Sequence, residues 1–216
     1  PVTSQELLQS LESMITYPNN HRLILHSEPV GKIIQSEISR NADLIQPKLG
    51  KVLWDACNGA TAWPLTILGD AGTGKTCAAL CVLDRVYGPR RYTTTAELVF
   101  DLNLLRRSDN PSRERGFWEH WRGCDLTVLD EIGARGEVTD SHYEILKLAI
   151  DRRQDQPAIF LSNHTIGQLA DIYDDRIASR LQSGTVFDMA GWPDRRVALQ
   201  TKQCPKIRQR AKKRGG

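Results

Sequence analysis

Eight consecutive residues, Gly69-Asp70-Ala71-Gly72-Thr73-Gly74-Lys75-Thr76, satisfy the pattern GxxxxGK(S/T) at every fixed position. These residue types in this order suit a polyphosphate. The glycines let backbone N–H groups turn inward around phosphate oxygens. The helix that the loop opens would add the partial positive charge of its N-terminus. Lys75 can reach the β and γ phosphates, and the Thr76 hydroxyl can ligate Mg²⁺. A Gly-rich turn between a strand and a helix needs neither the lysine nor the threonine, so the full match points to phosphate binding. Gly69 to Cys77 are the candidate contacts.

A second candidate group lies downstream. Leu126-Thr127-Val128-Leu129-Asp130-Glu131 is an apolar run ending in two acids. A carboxylate at the carboxyl end of a buried strand faces the crevice where ligands sit in parallel sheets. Asp130 can hold Mg²⁺ through its water shell. Glu131 can polarise a water for in-line attack on a γ-phosphate. An acidic loop after a strand is common; after a phosphate loop, the same pair reads as catalytic.

These residues need elements to position them. From residue 64 short apolar runs alternate with helical patterns. Strands are expected at Leu65–Leu68, Arg91–Thr95, Leu126–Leu129, Ala158–Leu161 and Thr185–Met189. Helices are expected at Thr76–Val86, Ala96–Arg107, Ser141–Arg153, Ile166–Ile172 and Asp175–Leu181. Continuous apolar strands alternating with helices imply an α/β fold, with a parallel sheet of about five strands covered on both faces. Upstream, Ser4–Ile15 has helical periodicity, Tyr17-Pro18-Asn19-Asn20 breaks it, and Ala42–Cys57 is helical with Pro47 at a start or a kink. The expected organisation is an N-terminal segment over 1–40 that binds a partner, a nucleotide domain over 41–200, and a tail over 201–216.

The chain has 216 residues, 40 % hydrophobic and 25 % charged, which suits one domain with a short appendage. No apolar run approaches the ~18 residues that a membrane span needs, and no signal-peptide pattern opens the chain. Pro1 stands first, so a missing or processed start is expected. The net charge of +3 is unevenly placed. Residues 201–216 hold seven Lys/Arg and no acid, while the other 200 carry 22 basic against 26 acidic side chains. A basic tail on an acidic body meets nucleic acid or is a solvated terminus. Five cysteines with no CxxC pair suit a reducing cytoplasm and make a poor zinc site.

The chain resembles the AAA+ ATPases, and among them the DnaC/IstB group of replicative-helicase loaders and transposition ATPases. The resemblance rests on Gly69–Thr76, Leu126–Gly133, Ile159-Phe160-Leu161-Ser162-Asn163, Asp175-Arg176-Ile177-Ala178-Ser179-Arg180-Leu181, and Arg91 to Leu98. It covers roughly residues 40–197. It implies ATP and Mg²⁺ as cofactors, ATP hydrolysis, and an ATP-dependent oligomer. It makes Asn163 the sensor 1 residue, whose amide can both donate and accept between water and γ-phosphate. It makes Arg180 an arginine finger reaching the nucleotide of a neighbouring subunit, with Arg176, one helical turn before it, supporting the interface. The chain departs from the broader family at its C-terminal end, where too few residues remain for a full helical lid. Arg195 or Arg196 would then approach the phosphates in place of a lid arginine, or begin the basic tail.

The functions implied are replicative-helicase loading on single-stranded DNA, or help to a transposase on duplex DNA. A small-molecule kinase built on the same loop is the alternative of another class, and a module that holds ATP without turnover is a third. Arg106, Arg107, Arg113, Arg115 and Arg122 are interleaved with Phe117, Trp118 and Trp121. Such a segment can stack nucleic acid, or its aromatics can be core.

Overall fold

The computed structural model describes residues 47–57, 59–60, 62–86, 88–107, 110–134 and 138–195. The expected helix at Ser4–Ile15, the break after it, Arg196 and the tail lie outside the described residues. In chain order the elements are α1 (Pro47–Cys57), β1 (Leu65–Leu68), α2 (Lys75–Arg85), β2 (Arg90–Thr94), α3 (Thr95–Arg106) and α4 (Pro111–Gly123). There follow β3 (Leu126–Ile132), α5 (Asp140–Asp151), β4 (Ala158–Ser162), α6 (Ile166–Ile172), α7 (Asp175–Leu181) and β5 (Thr185–Asp188). Of the helix expected over Ala42–Cys57, the part from Pro47 on is described as α1, and residues 42–46 lie outside the described residues.

The five strands form one sheet in the order β2-β3-β4-β1-β5, every neighbour parallel. Alternation along the strands divides the core in two. Leu65, Ile67, Leu126, Val128, Ile159 and Leu161 face α1 and α2. Leu68, Leu129, Ala158 and Phe160 face α3, α4 and α5. The central strands β1, β3 and β4 are buried on both faces because both are covered, while β2 and β5 at the sheet's edges are more polar.

One helix was not expected. Pro111–Gly123 is rich in charge, but its start carries a clear signature: the Asn110 side chain accepts from the Ser112 N–H at 3.0 Å, and Pro111 occupies the first turn. This helix settles the aromatic segment. Trp118 and Trp121 are 4 % and 0 % exposed and Phe117 packs against them, so they are core and not a stacking platform. The exposed large apolar side chains of this region are instead Phe100 and Leu104, one turn apart on α3.

The far end of α4 depends on a buried arginine. Arg153 is fully buried just after α5. Its guanidinium donates to the carbonyls of Trp121, Arg122 and Cys124 at 2.9–3.2 Å, to Gln156 Oε1 at 3.1 Å, and to the Pro157 carbonyl. It thereby satisfies carbonyls that the last turn of a helix leaves without intrahelical donors. An Arg153→Met substitution keeps much of the volume and removes the donors. It should lower stability by about 3 kcal/mol or more in urea unfolding, whereas exposed Arg115→Met should be nearly neutral.

Candidate nucleotide site

β1 delivers the chain into the phosphate loop, and α2 begins at Lys75. Gly69, Gly72 and Gly74 have φ of 140°, 83° and 101°, a region that favours glycine. Within the loop the Thr73 hydroxyl donates to the Asp70 carbonyl at 2.9 Å, while Asp70 and Ala71 are exposed. The start of a helix offers backbone N–H groups and partial positive charge to an anion, and the phosphate loop leads directly into the start of α2.

Lys75 is 6 % exposed. Its ammonium donates to the Gly69 and Asp70 carbonyls at 2.6 and 2.9 Å and to Asn163 Oδ1 at 2.8 Å. Asn163 follows β4 directly, and its turn is fixed by Ser162. The Ser162 hydroxyl donates to the Ile132 carbonyl at 2.6 Å and accepts from the His164 N–H at 3.0 Å. Residues 88 positions apart in sequence thus meet at one ammonium.

Thr76 Oγ1 donates to Asp130 Oδ2 at 2.7 Å. Alternation places Asp130 on the same sheet face as Leu126 and Val128, the face that carries α2, so the carboxylate meets the start of that helix. Asp130 Oδ1 accepts the Glu131 N–H at 2.7 Å, and Tyr92 Oη donates to Oδ2 at 3.1 Å. Tyr92 was missed by sequence reasoning; between Arg91 and Thr93 nothing in the sequence separates it from a packing residue. Burial, followed by the charge and hydrogen bond of Asp130, pushes its hydroxyl well above the usual tyrosine value, so it stays a neutral donor.

Glu131 sits on a bulge. Leu129 pairs with Phe160 and Ile132 with Ser162, so β3 has one residue more than β4 over the same stretch. The extra residue, Glu131, has φ 59° and is exposed. Ile132 is thereby moved to the α3–α5 face, where it is 1 % exposed. The carboxylate next to Asp130 is freed from the pleat and projects at the strand's end.

Arg176 and Arg180 stand apart from this cluster. Arg176 is exposed. Arg180 Nε pairs with Asp151 of α5, and its Nη1 donates to the Arg176 carbonyl at 3.1 Å. Helix α7 is anchored at both ends. Asp174 accepts from the Ile177 N–H at 2.9 Å and the Tyr143 hydroxyl at 2.6 Å, and the Leu181 carbonyl accepts from the buried Thr66 hydroxyl at 2.6 Å.

Arg195 lies against the loop. Its N–H donates to the Gly72 carbonyl at 2.9 Å, and its Cδ is 3.4 Å from where a Cβ on Gly74 would stand. A Cβ on Gly72 would be 2.1 Å from Asp194 Oδ1, and one on Gly69 2.8 Å from Met189 Cβ. The segment from Met189 to Arg195 is therefore a strap laid across the phosphate loop.

Oxygen donors fit Mg²⁺, a hard ion that prefers one or two carboxylates plus substrate phosphates. Thr76 and Asp130 supply such a pair. Among the described residues no cluster of three or more His, Cys, Asp or Glu side chains converges on a metal position.

No protein-family model matches the sequence, and no curated protein matches it. Solved structures do. A DnaC helicase loader aligns with a TM-score of 0.51 at 16 % identity, over 83 % of this chain and 97 % of that one. DnaI aligns at 0.55 and 18 %, over 72 % and 93 %. AMPPCP-bound DnaA from Aquifex aeolicus aligns at 0.53 and 17 %, over 68 % and 48 %. The chain shares the α/β P-loop fold of these structures. It spans about half the length of the initiator structures it matches and nearly the whole of the loader structures. Among its described residues no helix is long and apolar enough to cross a membrane.

The left-handed conformation of Glu131 costs roughly 1–2 kcal/mol for any residue with a Cβ. Glu131→Gly should therefore be more stable than Glu131→Ala by about 1 kcal/mol in urea unfolding, though both lose the carboxylate. Equal stability would mean that the bulge is not strained.

Proposed function

We propose that the chain is an ATP-hydrolysing switch of the replicative-helicase-loader type, acting with single-stranded DNA and assembling through ATP. The observation that carries this reading is the bond from the Lys75 ammonium to Asn163, beside the Thr76–Asp130 pair. A phosphate-loop lysine, a metal-facing hydroxyl and carboxylate, and a polar amide meet where a γ-phosphate would lie.

The chemistry follows from what each group can do. Backbone N–H groups of the loop and of α2 through Cys77 hold the phosphate oxygens, and Lys75 turns from the loop carbonyls towards the β and γ phosphates. Mg²⁺, when bound, neutralises charge on those phosphates and is held through Thr76 and Asp130. Glu131 accepts a proton from a water that attacks the γ-phosphorus in line, and Asn163 orients that water. The bond to the β–γ bridging oxygen breaks, giving ADP and phosphate. Arg195, already against Gly74, adds positive charge from the strap. Arg180 belongs to a different surface, and its charge acts on the nucleotide of a neighbouring copy, with Arg176 lining the junction. Loss of the γ-phosphate contacts would then loosen the assembly.

Two features favour nucleic acid. Phe100 and Leu104 are exposed on α3 with the exposed Arg107 just past its end, while Arg106 is paired with Glu114 at 3.1 Å; the apolar pair and Arg107 form a surface on which a base can stack beside a cation. The seven Lys/Arg of residues 201–216 would displace counterions. The partner that such a switch would serve is a replicative helicase.

Lys75→Ala should abolish nucleotide binding, and Glu131→Gln should keep binding and lose turnover; equilibrium titration beside a phosphate-release assay measures both. Glu131→Gln turning over ATP at the parental rate would overturn the assignment of the base.

Arg180→Ala should bind nucleotide normally yet hydrolyse it more slowly, by as much as ~10³-fold if the finger acts as in other P-loop enzymes. Mixed with Lys75→Ala subunits, which keep an intact Arg180, it should recover part of the lost activity. Hetero-oligomers that form and stay inactive would remove Arg180 from the reaction. A chain that remains a monomer with and without a non-hydrolysable ATP analogue would favour a kinase instead.

A further inference from the structure

Asp130 is the carboxylate on which the metal end of the site turns, and its own surroundings are unusual. Three donors converge on it: Thr76 Oγ1 and Tyr92 Oη at Oδ2, and the Glu131 N–H at Oδ1. A carboxylate offers about four lone-pair sites, so one remains. Two of the donors belong to residues whose place in a phosphate-loop site follows from the loop and the carboxylate pair. The third does not. Tyr92 lies on β2, the strand next to β3, with Thr94 paired to Asp130 and Tyr92 paired to Val128. Being two residues short of Thr94, it shares its face and its ring lies along the α2 side of the sheet, packed against the core there. A phenol is long enough to span that offset, so its hydroxyl arrives at the carboxylate from the side away from the phosphate loop. Phenylalanine would pack in the same place and end one atom short.

We propose that Tyr92 is a positioning residue for the Mg²⁺ half of the nucleotide site, its hydroxyl fixing the plane of the Asp130 carboxylate so that Oδ2 is aimed at a metal-bound water. The proposal rests on the ATP- and Mg²⁺-binding reading above. When the Thr76 hydroxyl turns from Asp130 to a metal ion, Oδ2 loses its nearest donor. Without Tyr92 the carboxylate would then be held only through Oδ1 and the Glu131 N–H, and would be free to rotate about its Cβ–Cγ bond. With Tyr92 both oxygens keep one protein donor, and the freed lone pair points towards Thr76. Donors to a metal-facing group of this kind typically change metal affinity by about 10–100-fold when removed.

The test is a Mg²⁺ titration of the full chain at fixed fluorescent ATP analogue, for the parent and Tyr92→Phe, with the analogue's affinity in EDTA and the thermal midpoint measured alongside. Tyr92→Phe should need about tenfold more Mg²⁺ for half-maximal tightening of nucleotide binding, while its affinity in EDTA stays within about twofold of the parent, since Lys75 and the loop amides are untouched. A purely structural role predicts the opposite: nucleotide affinity falling equally with and without Mg²⁺, together with a lower midpoint. That result, or an unchanged Mg²⁺ requirement, would overturn the proposal while leaving the ATP reading intact. Failure of the parent itself to bind the analogue would overturn both.

Discussion

All five strands run parallel, so their carboxyl ends leave the sheet along a single edge, and every group of the site hangs from that edge. β1 ends in the phosphate loop, β3 in Asp130 and Glu131, β4 in Asn163, and β5 in the strap that carries Arg195. Strand order then sets the distances. β1 lies between β4 and β5, so Lys75 has Asn163 on one side and the strap on the other. Lys75 does not choose these neighbours; the parallel ladder does.

The sheet delivers Asp130 by its ordinary alternation and Glu131 by a departure from it. A regular β3 would put Ile132 on the α2 face, where Asp130 already lies, and would bury the glutamate on the other. One extra residue reverses this: Ile132 fills the core under α3 and α5, and Glu131 stands outside the pleat. The energetic cost falls on the one backbone position where a catalytic carboxylate would be displayed, as is common where strain and chemistry coincide.

Much of this was legible in residue order. Phosphate loops, buried strands and capped helices obey local rules, so α6 and α7 are found at the bounds that their periodicity gives, and β3 runs on from its apolar stretch through the two acids to Ile132. Helix α4 escaped because charge at its exposed positions hides a two-tryptophan core face, although Asn110 and Pro111 mark its start. Tyr92 escaped for another reason: its role depends on pairing between β2 and β3, and a tyrosine between Arg91 and Thr93 carries no local mark of that pairing. The Arg180–Asp151 contact belongs to the same class, since it joins α7 to α5 through tertiary packing.

The strap also orders events in time. The Met189 N–H reaches back to Leu68, and the Arg195 N–H to Gly72. The phosphate loop is among the first parts of the described domain to leave a ribosome, and the residues that rest on it are among the last. β5, which covers the outer side of β1, is equally late. Contacts between chain segments so far apart form slowly, after the local helices. A nascent chain would therefore display the GxxxxGKT sequence long before it owned a complete pocket, and nucleotide would act as a ligand for the finished domain rather than as a scaffold for its folding.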